Sequence, residues 1–150
     1  EMATLYWLIE DRVERLACSG SHVSTLEVEG SDCWQMFGRT SAGVRVMQHF
    51  DMVQRATQGV SRYISESGTI ELSIGDRYAR RYLASTEEWE NVTSPDGFEY
   101  EECFIEEIGA FIRCIEGDAT WHNPLETAVD VVRFLLAMQR SSESEIWVEL

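Results

Sequence analysis

The sequence predicts an α+β protein: an open-faced, mostly antiparallel β-sheet with helices packed on one face. Three observations predict it. Alternating runs at 33–39 and 44–52 flank the polar turn Thr40-Ser41-Ala42-Gly43, which reads as an antiparallel hairpin. A second strand pair closes on Glu66-Ser67-Gly68-Thr69-Ile70-Glu71-Leu72. Two helical patterns then end the chain, enough to cover one face of a sheet and leave the other open.

In order, residues 2–10 read as the tail of an amphipathic helix, with Met2, Leu5, Leu8 and Ile9 on one stripe. No cap residue and no initiator Met opens it, which points to a longer parent or a processed chain. A short strand is expected over 13–18, broken by Ser19-Gly20-Ser21, and an acidic connection at 24–30 leads into the central hairpin. After that hairpin, residues 53–59 form a polar loop of the kind that often contacts ligands at a strand end. Strands follow at 62–64, 69–73 and 77–83, the last with Arg on one face and Tyr on the other. Residues 84–100 carry Pro95-Asp96-Gly97 and little periodicity, and read as a surface excursion.

Phe104, Ile105, Ile108, Phe111, Ile112 and Ile115 recur at three- and four-residue steps, giving a helix over 101–116 that stops at Gly117. The second helix has Asn123 as N-cap, Pro124 at its first position, Glu126 closing a capping box and Arg140 in its last turn. Its core stripe reads Leu125, Ala128, Val129, Val132, Leu135, Leu136 and Gln139. Residues 141–144 end it, and 145–150 alternate as a final strand.

Strand side chains alternate sides, so the central hairpin divides its residues between two faces. Trp34, Met36, Val44, Val46 and Phe50 make one face apolar; Gln35, Phe37, Arg39, Arg45, Met47, His49 and Asp51 make the other mixed. That mixed face is either an ordinary half-buried surface with scattered apolar residues or a surface that meets protein. We take the second reading, with Phe37, Met47 and His49 as interface residues.

At 150 residues and 17.2 kDa the chain is read as one domain with room for a core without staples. Twelve Arg stand against 27 acids for a net charge of -15, which excludes a phosphate-tracking stripe and disfavours an anionic membrane surface. No lysine occurs, so Schiff-base chemistry is excluded and cationic recognition falls to Arg; a salt-rich habitat and codon bias account for this equally well. Cys18, Cys33, Cys103 and Cys114 form no CxxC pair. On one helix Cys103 and Cys114 would stand about 16 Å apart, too far to bridge, whereas Cys18 and Cys33 could meet across strands. Reduced, mostly buried thiols in a cytoplasmic setting are expected. No apolar run reaches membrane-spanning length.

The remaining chemistry is sparse. His22, His49 and His122 lack metal-ligand spacing, Glu71 and Asp76 are the nearest approach to a carboxylate pair, and no Gly-rich phosphate loop or GxSxG elbow is present. No catalytic, metal or cofactor-binding residue is therefore assigned.

Four stretches carry a resemblance: Leu5-Tyr6-Trp7-Leu8-Ile9-Glu10-Asp11-Arg12-Val13, Phe50-Asp51-Met52-Val53-Gln54-Arg55, Glu66-Ser67-Gly68-Thr69-Ile70-Glu71, and residues 107–150. In the last, Phe111-Ile112-Arg113-Cys114-Ile115-Glu116-Gly117 and Ser141-Ser142-Glu143-Ser144 match best. In this order, across nearly the whole chain, they resemble the C-terminal domain of the Gfo/Idh/MocA family of NAD(P)-dependent oxidoreductases. The resemblance implies an open-faced sheet that forms part of a substrate pocket and commonly a homodimeric or larger subunit interface. It also implies a dinucleotide-binding domain, absent from this chain, that binds NAD or NADP in the parent. The family's His-x-x-Asp histidine would precede Glu1, and its aspartate position falls at or near Ala3, which cannot take that role. Glu1, Gln54 and Arg55 are the expected contacts to a small sugar or polyol substrate, Arg55 as a hydroxyl- or carboxylate-binding group. On this reading the chain is inactive as a dehydrogenase by itself. The alternative is a stand-alone, non-catalytic module that dimerises through the same face.

Overall fold

The computed structural model describes residues 2–56, 58–73, 75–92, 99–121 and 124–150, and shows the backbone but not the side chain of Met2. Along the chain come α1 (Met2–Ile9), β1 (Val13–Ser21), β2 (Cys33–Thr40), β3 (Arg45–Asp51), β4 (Ser61–Ser65), β5 (Gly68–Ser73), β6 (Tyr78–Leu83), β7 (Glu88–Val92), α2 (Tyr100–Glu116), α3 (Leu125–Ser144) and β8 (Val148–Glu149). The α+β class, the antiparallel pairing and the open sheet agree with the sequence. The strands are shared between two four-stranded sheets, β3-β2-β1-β8 and β4-β5-β6-β7, where the sequence was read as one layer. Two compact units contain them, residues 1–53 with 121–150, and residues 54–120.

In the first unit, Phe37 faces Met47 and Gln35 faces His49 across β2 and β3. Gly43 adopts φ +87 in the connecting turn, where its N–H reaches the Thr40 carbonyl at 2.9 Å; a β-carbon would strain that backbone. Asp11 fastens the same turn, accepting from Ser41 Oγ at 2.6 Å and the Ala42 N–H at 3.1 Å, and these donors hold its carboxyl well below the usual range. On β1, Gly20 pairs with Trp34, and a β-carbon there would sit 2.6 Å from the indole. Strand β1 runs through Ser19-Gly20-Ser21 to residue 21, beyond the expected break, because the ladder to β2 continues.

The core of this unit is Leu5, Tyr6, Val13, Leu16, Met36, Val46, Phe134, Ala137 and Met138. Tyr6 meets Phe134 edge to face, with ring centroids 6.3 Å apart. Burying a side chain such as Phe134 completely contributes about 1.5–3 kcal/mol. The expected stripe of α3 is corrected here. Leu125, Val129, Val132, Leu135 and Leu136 are exposed, and the face turned inward carries Phe134, Ala137, Met138 and Ser141. Polar partners select that face: Arg12 Nε donates to Asp130 at 3.0 Å and its guanidinium lies 4.7 Å over Tyr6. The helix runs through 141–144 to Ser144, so Arg140 is not in its last turn as expected. Its serines bond the helix and the adjoining strand, with Ser144 Oγ on the Arg140 carbonyl at 2.6 Å and the Gly20 N–H on Ser142 Oγ at 2.8 Å. Pro124 stands at the N-cap position, one residue earlier than expected, and the Asn123 cap lies outside the described residues.

The second unit is a meander. A β-carbon on Gly68 would collide with the Tyr82 carbonyl, so β5 and β6 close only over glycine. Tyr78, Arg80 and Tyr82 share one face of β6 by parity, which corrects the expected opposition of Arg and Tyr. The excursion expected at 84–100 contains β7, paired to β6 through Tyr82–Trp89 and its neighbours. All five β7 residues are exposed, so no apolar alternation advertised it. Helix α2 stops at Gly117 as expected, with φ +84 and the Asp118 N–H on the Arg113 carbonyl at 2.9 Å. None of the α2 residues is buried.

Candidate functional site: the open face of the first sheet

The alternation read from β2 and β3 sorts side chains as expected. Met36 and Val46 are buried against the helix side, while Phe37 and Met47 are 56% and 76% exposed on the other. His49 lies on that same face, its Nε2 3.0 Å from Asp51 Oδ2, and Asp51 Oδ1 accepts the Val53 N–H at 2.9 Å. The structure thus brings Phe37, Met47 and His49 together on two neighbouring strands. Arg39 and Arg45 stand opposite one another at the end of the face, with Arg39 Nη2 3.9 Å from Glu14 Oε2. An apolar pair flanked by arginines and a histidine in contact with an aspartate is suited to binding protein; it contains no nucleophile–base pair.

The expected substrate contacts are less well gathered. Gln54 Nε2 donates to the Ala56 carbonyl at 2.7 Å, and Arg55 is exposed with no ion pair among the described residues. Both belong to the second unit, and Glu1 lies outside the described residues. Ala3 is an exposed position on α1. No cluster of three metal-ligating side chains occurs among the described residues. Nor do the described strands lead into a Gly-rich turn and helix: Gly43 sits in a β-hairpin and Gly68 opens a strand, so these residues do not fit a dinucleotide pyrophosphate. Hydride transfer is not placed on them.

Three polar centres have partners that the sequence does not predict. Glu71, 2% exposed, is gripped by Arg62 Nη2 and Arg80 Nη2, each at 2.6 Å, and accepts from the Tyr78 hydroxyl at 3.1 Å. The Arg62 hydrogen bond leads the forces that lower its carboxyl pKa, despite the cost of burial. Asp76 takes a separate partner, Ser73 Oγ at 2.8 Å, so the carboxylate pair considered from sequence is not formed. Asp32 is buried and organises residues 22–32, accepting from the Ser24 hydroxyl and from the Val23 N–H at 2.7 Å. Its carboxyl is lowered chiefly by that hydroxyl. Ser141, also buried, accepts the Cys18 N–H at 2.8 Å and donates to the Ile146 carbonyl at 2.6 Å. An acid opposite two arginines on neighbouring strands was the available signal for the first; the other two depend on contacts distant or local that carry no periodicity.

All four cysteines are free, and none is fully buried, which corrects the expectation of mostly buried thiols. Cys18 pairs with Met36 and Cys33 with Ser21, so the two do not face one another across the ladder. No helix among the described residues is long and apolar enough to cross a membrane.

No family model and no curated protein matches the chain. Solved structures do. An NAD binding oxidoreductase from Klebsiella pneumoniae superposes with a TM-score of 0.84 at 16% identity, over 99% of this chain and 47% of that one. The WlbA dehydrogenase from Bordetella pertussis, in complex with NADH and UDP-GlcNAcA, gives 0.71 at 18% identity over 99% and 42%. A levoglucosan dehydrogenase in complex with NADH and levoglucosan gives 0.81 at 13% identity over 99% and 47%. The chain spans less than half the length of each of these proteins. It shares the fold of part of each of these oxidoreductases, a fold likeness in keeping with the resemblance its ordered motifs carry.

Proposed function

We propose that this chain is the substrate-binding and self-associating C-terminal part of an NAD(P)-dependent oxidoreductase acting on a sugar or polyol derivative. The fold likeness carries the proposal, since it extends over nearly the whole chain and the similar proteins include enzymes of sugar oxidation. The exposed Phe37, Met47 and His49 face supports self-association, because three such side chains on adjoining strands gain by leaving water together. Gln54 and Arg55 supply polar contacts to substrate. The nicotinamide chemistry belongs to a dinucleotide-binding domain outside these residues.

Sedimentation velocity tests the association: a dimer or larger is expected, and Met47→Glu should return the chain to monomer. A monomeric wild type overturns the interface. In the parent enzyme, Arg55→Ala should raise KM about tenfold with a smaller change in kcat, since binding in ground and transition states is lost alike. An unchanged KM removes Arg55 from the site. One observation favours a second reading, the stand-alone dimerising module: Ala3 has no proton to give or take where the family places an aspartate. An NAD(P)-linked assay of the parent with neutral sugars separates the two, because the module alone turns nothing over.

A further inference from the structure

Beside the association face, the first unit holds a groove of about 480 Å³ along β1 and the end of α3. That is within the usual range for small-molecule sites. Phe37 and Trp147 give it aromatic surface, Gln35 and Ser19 give it polar groups, and Glu145 is the one formally charged residue on its lining. Neither Gln35 nor Glu145 spends its side chain on a hydrogen bond or ion pair among the described residues. Behind the groove, the walls are fixed. Ser141 Oγ holds the Ile146 carbonyl at 2.6 Å and the Cys18 N–H at 2.8 Å, anchoring the turn that carries Glu145 and Trp147 to the strand. Glu145 caps the helix with φ +57. Arg15 lies 4.8 Å from the Trp147 ring centroid, its Nε 3.7 Å from Glu149, which steadies the indole on one side.

We infer that this groove binds a small organic cation bearing an ammonium head, held against the Trp147 ring with Glu145 as counter-ion. Charge complementarity selects the occupant. Glu145 is the formal charge on the lining, Arg15 over the Trp147 ring not being part of it, and a carboxylate there attracts a cation and repels an anion; the chain's net charge of -15 adds to the same field. A phosphate or carboxylate ligand finds no arginine on the lining to receive it. The groove shares Phe37 with the face proposed for self-association.

The test is a ¹H–¹⁵N titration of the full chain at low salt with choline and with 3,3-dimethylbutan-1-ol, which has the same shape and no charge. Saturable shifts of the Trp147 indole and Gln35 amide are expected with choline, and about tenfold weaker binding of the alcohol. Glu145→Gln keeps the length of the capping side chain and should weaken choline by about fivefold. Equal affinity for choline and the alcohol, absence of saturable shifts with choline, or unchanged binding by Glu145→Gln overturns the site. Repeating the titration on the Met47→Glu chain keeps this result apart from the association proposal, since Met47 does not line the groove.

Discussion

A single hydroxyl at Ser141 joins α3 to β1 and to the turn that leads into β8. Buried and bonded on both sides, it occupies the Cys18 N–H on a stretch of β1 that β8, only two residues long, does not reach. Ser141→Ala would leave that N–H and the Ile146 carbonyl without the partner, and is expected to cost about 1–3 kcal/mol in urea unfolding. Glu71 makes the pH counterpart in the second unit. Its folded pKa lies below the unfolded value of about 4.3 because Arg62, Arg80 and Tyr78 all favour the carboxylate. Its contribution is therefore complete above the unfolded pKa and is lost as the pH falls through the folded one. Urea unfolding followed from pH 7 down to about pH 3 should show this loss, and Glu71→Gln should flatten part of it. Among the thiols, burial pushes Cys18 up to about 11, while Cys103 is exposed. Mass spectrometry after brief alkylation at neutral pH should find Cys103 modified well before Cys18.

At the scale of elements, α3 decides what the sequence can and cannot tell. The helix has apolar residues on more than one side, so periodicity alone leaves its inward face open. Polar partners far away in sequence settle it: Asp130 for Arg12, and Ser141 for β1. Phe134→Ala should cost about 3–5 kcal/mol, and Leu136→Ala, at 55% exposed, should stay within about 0.5 kcal/mol in the same unfolding assay. Equal losses would contradict the assignment of faces. The central hairpin was legible because alternation and turn chemistry agree there, with buried Met36 and Val46 opposite exposed Phe37 and Met47. Strand β7 was not, since Glu88, Trp89, Glu90, Asn91 and Val92 all remain accessible. The division into two sheets was also hidden, because strand order depends on long-range pairing that no local pattern records. Of the candidate site, the shared exposure of Phe37, Met47 and His49 on one face could be read residue by residue, whereas the groove at Trp147 is formed by residues more than a hundred positions apart.

For the whole molecule, the charge balance makes the proposed association dependent on salt. Two copies of a chain carrying -15 repel at long range, while the contact itself rests on Phe37 and Met47, whose attraction does not need ions. The Debye length shortens from about 30 Å at 0.01 M to about 3 Å at 1 M ionic strength, so added salt removes the repulsion before it affects the apolar contact. Sedimentation at increasing sodium chloride should therefore show the dimer dissociation constant falling. The opposite trend would mean that Arg39 and Arg45, exposed on the same face, are bound to acids of the partner copy, and that ion pairs rather than the apolar pair hold the two chains together. Arg45→Ala separates these cases: it should leave association nearly unchanged if the apolar pair dominates, and weaken it with a smaller salt dependence if the arginines do.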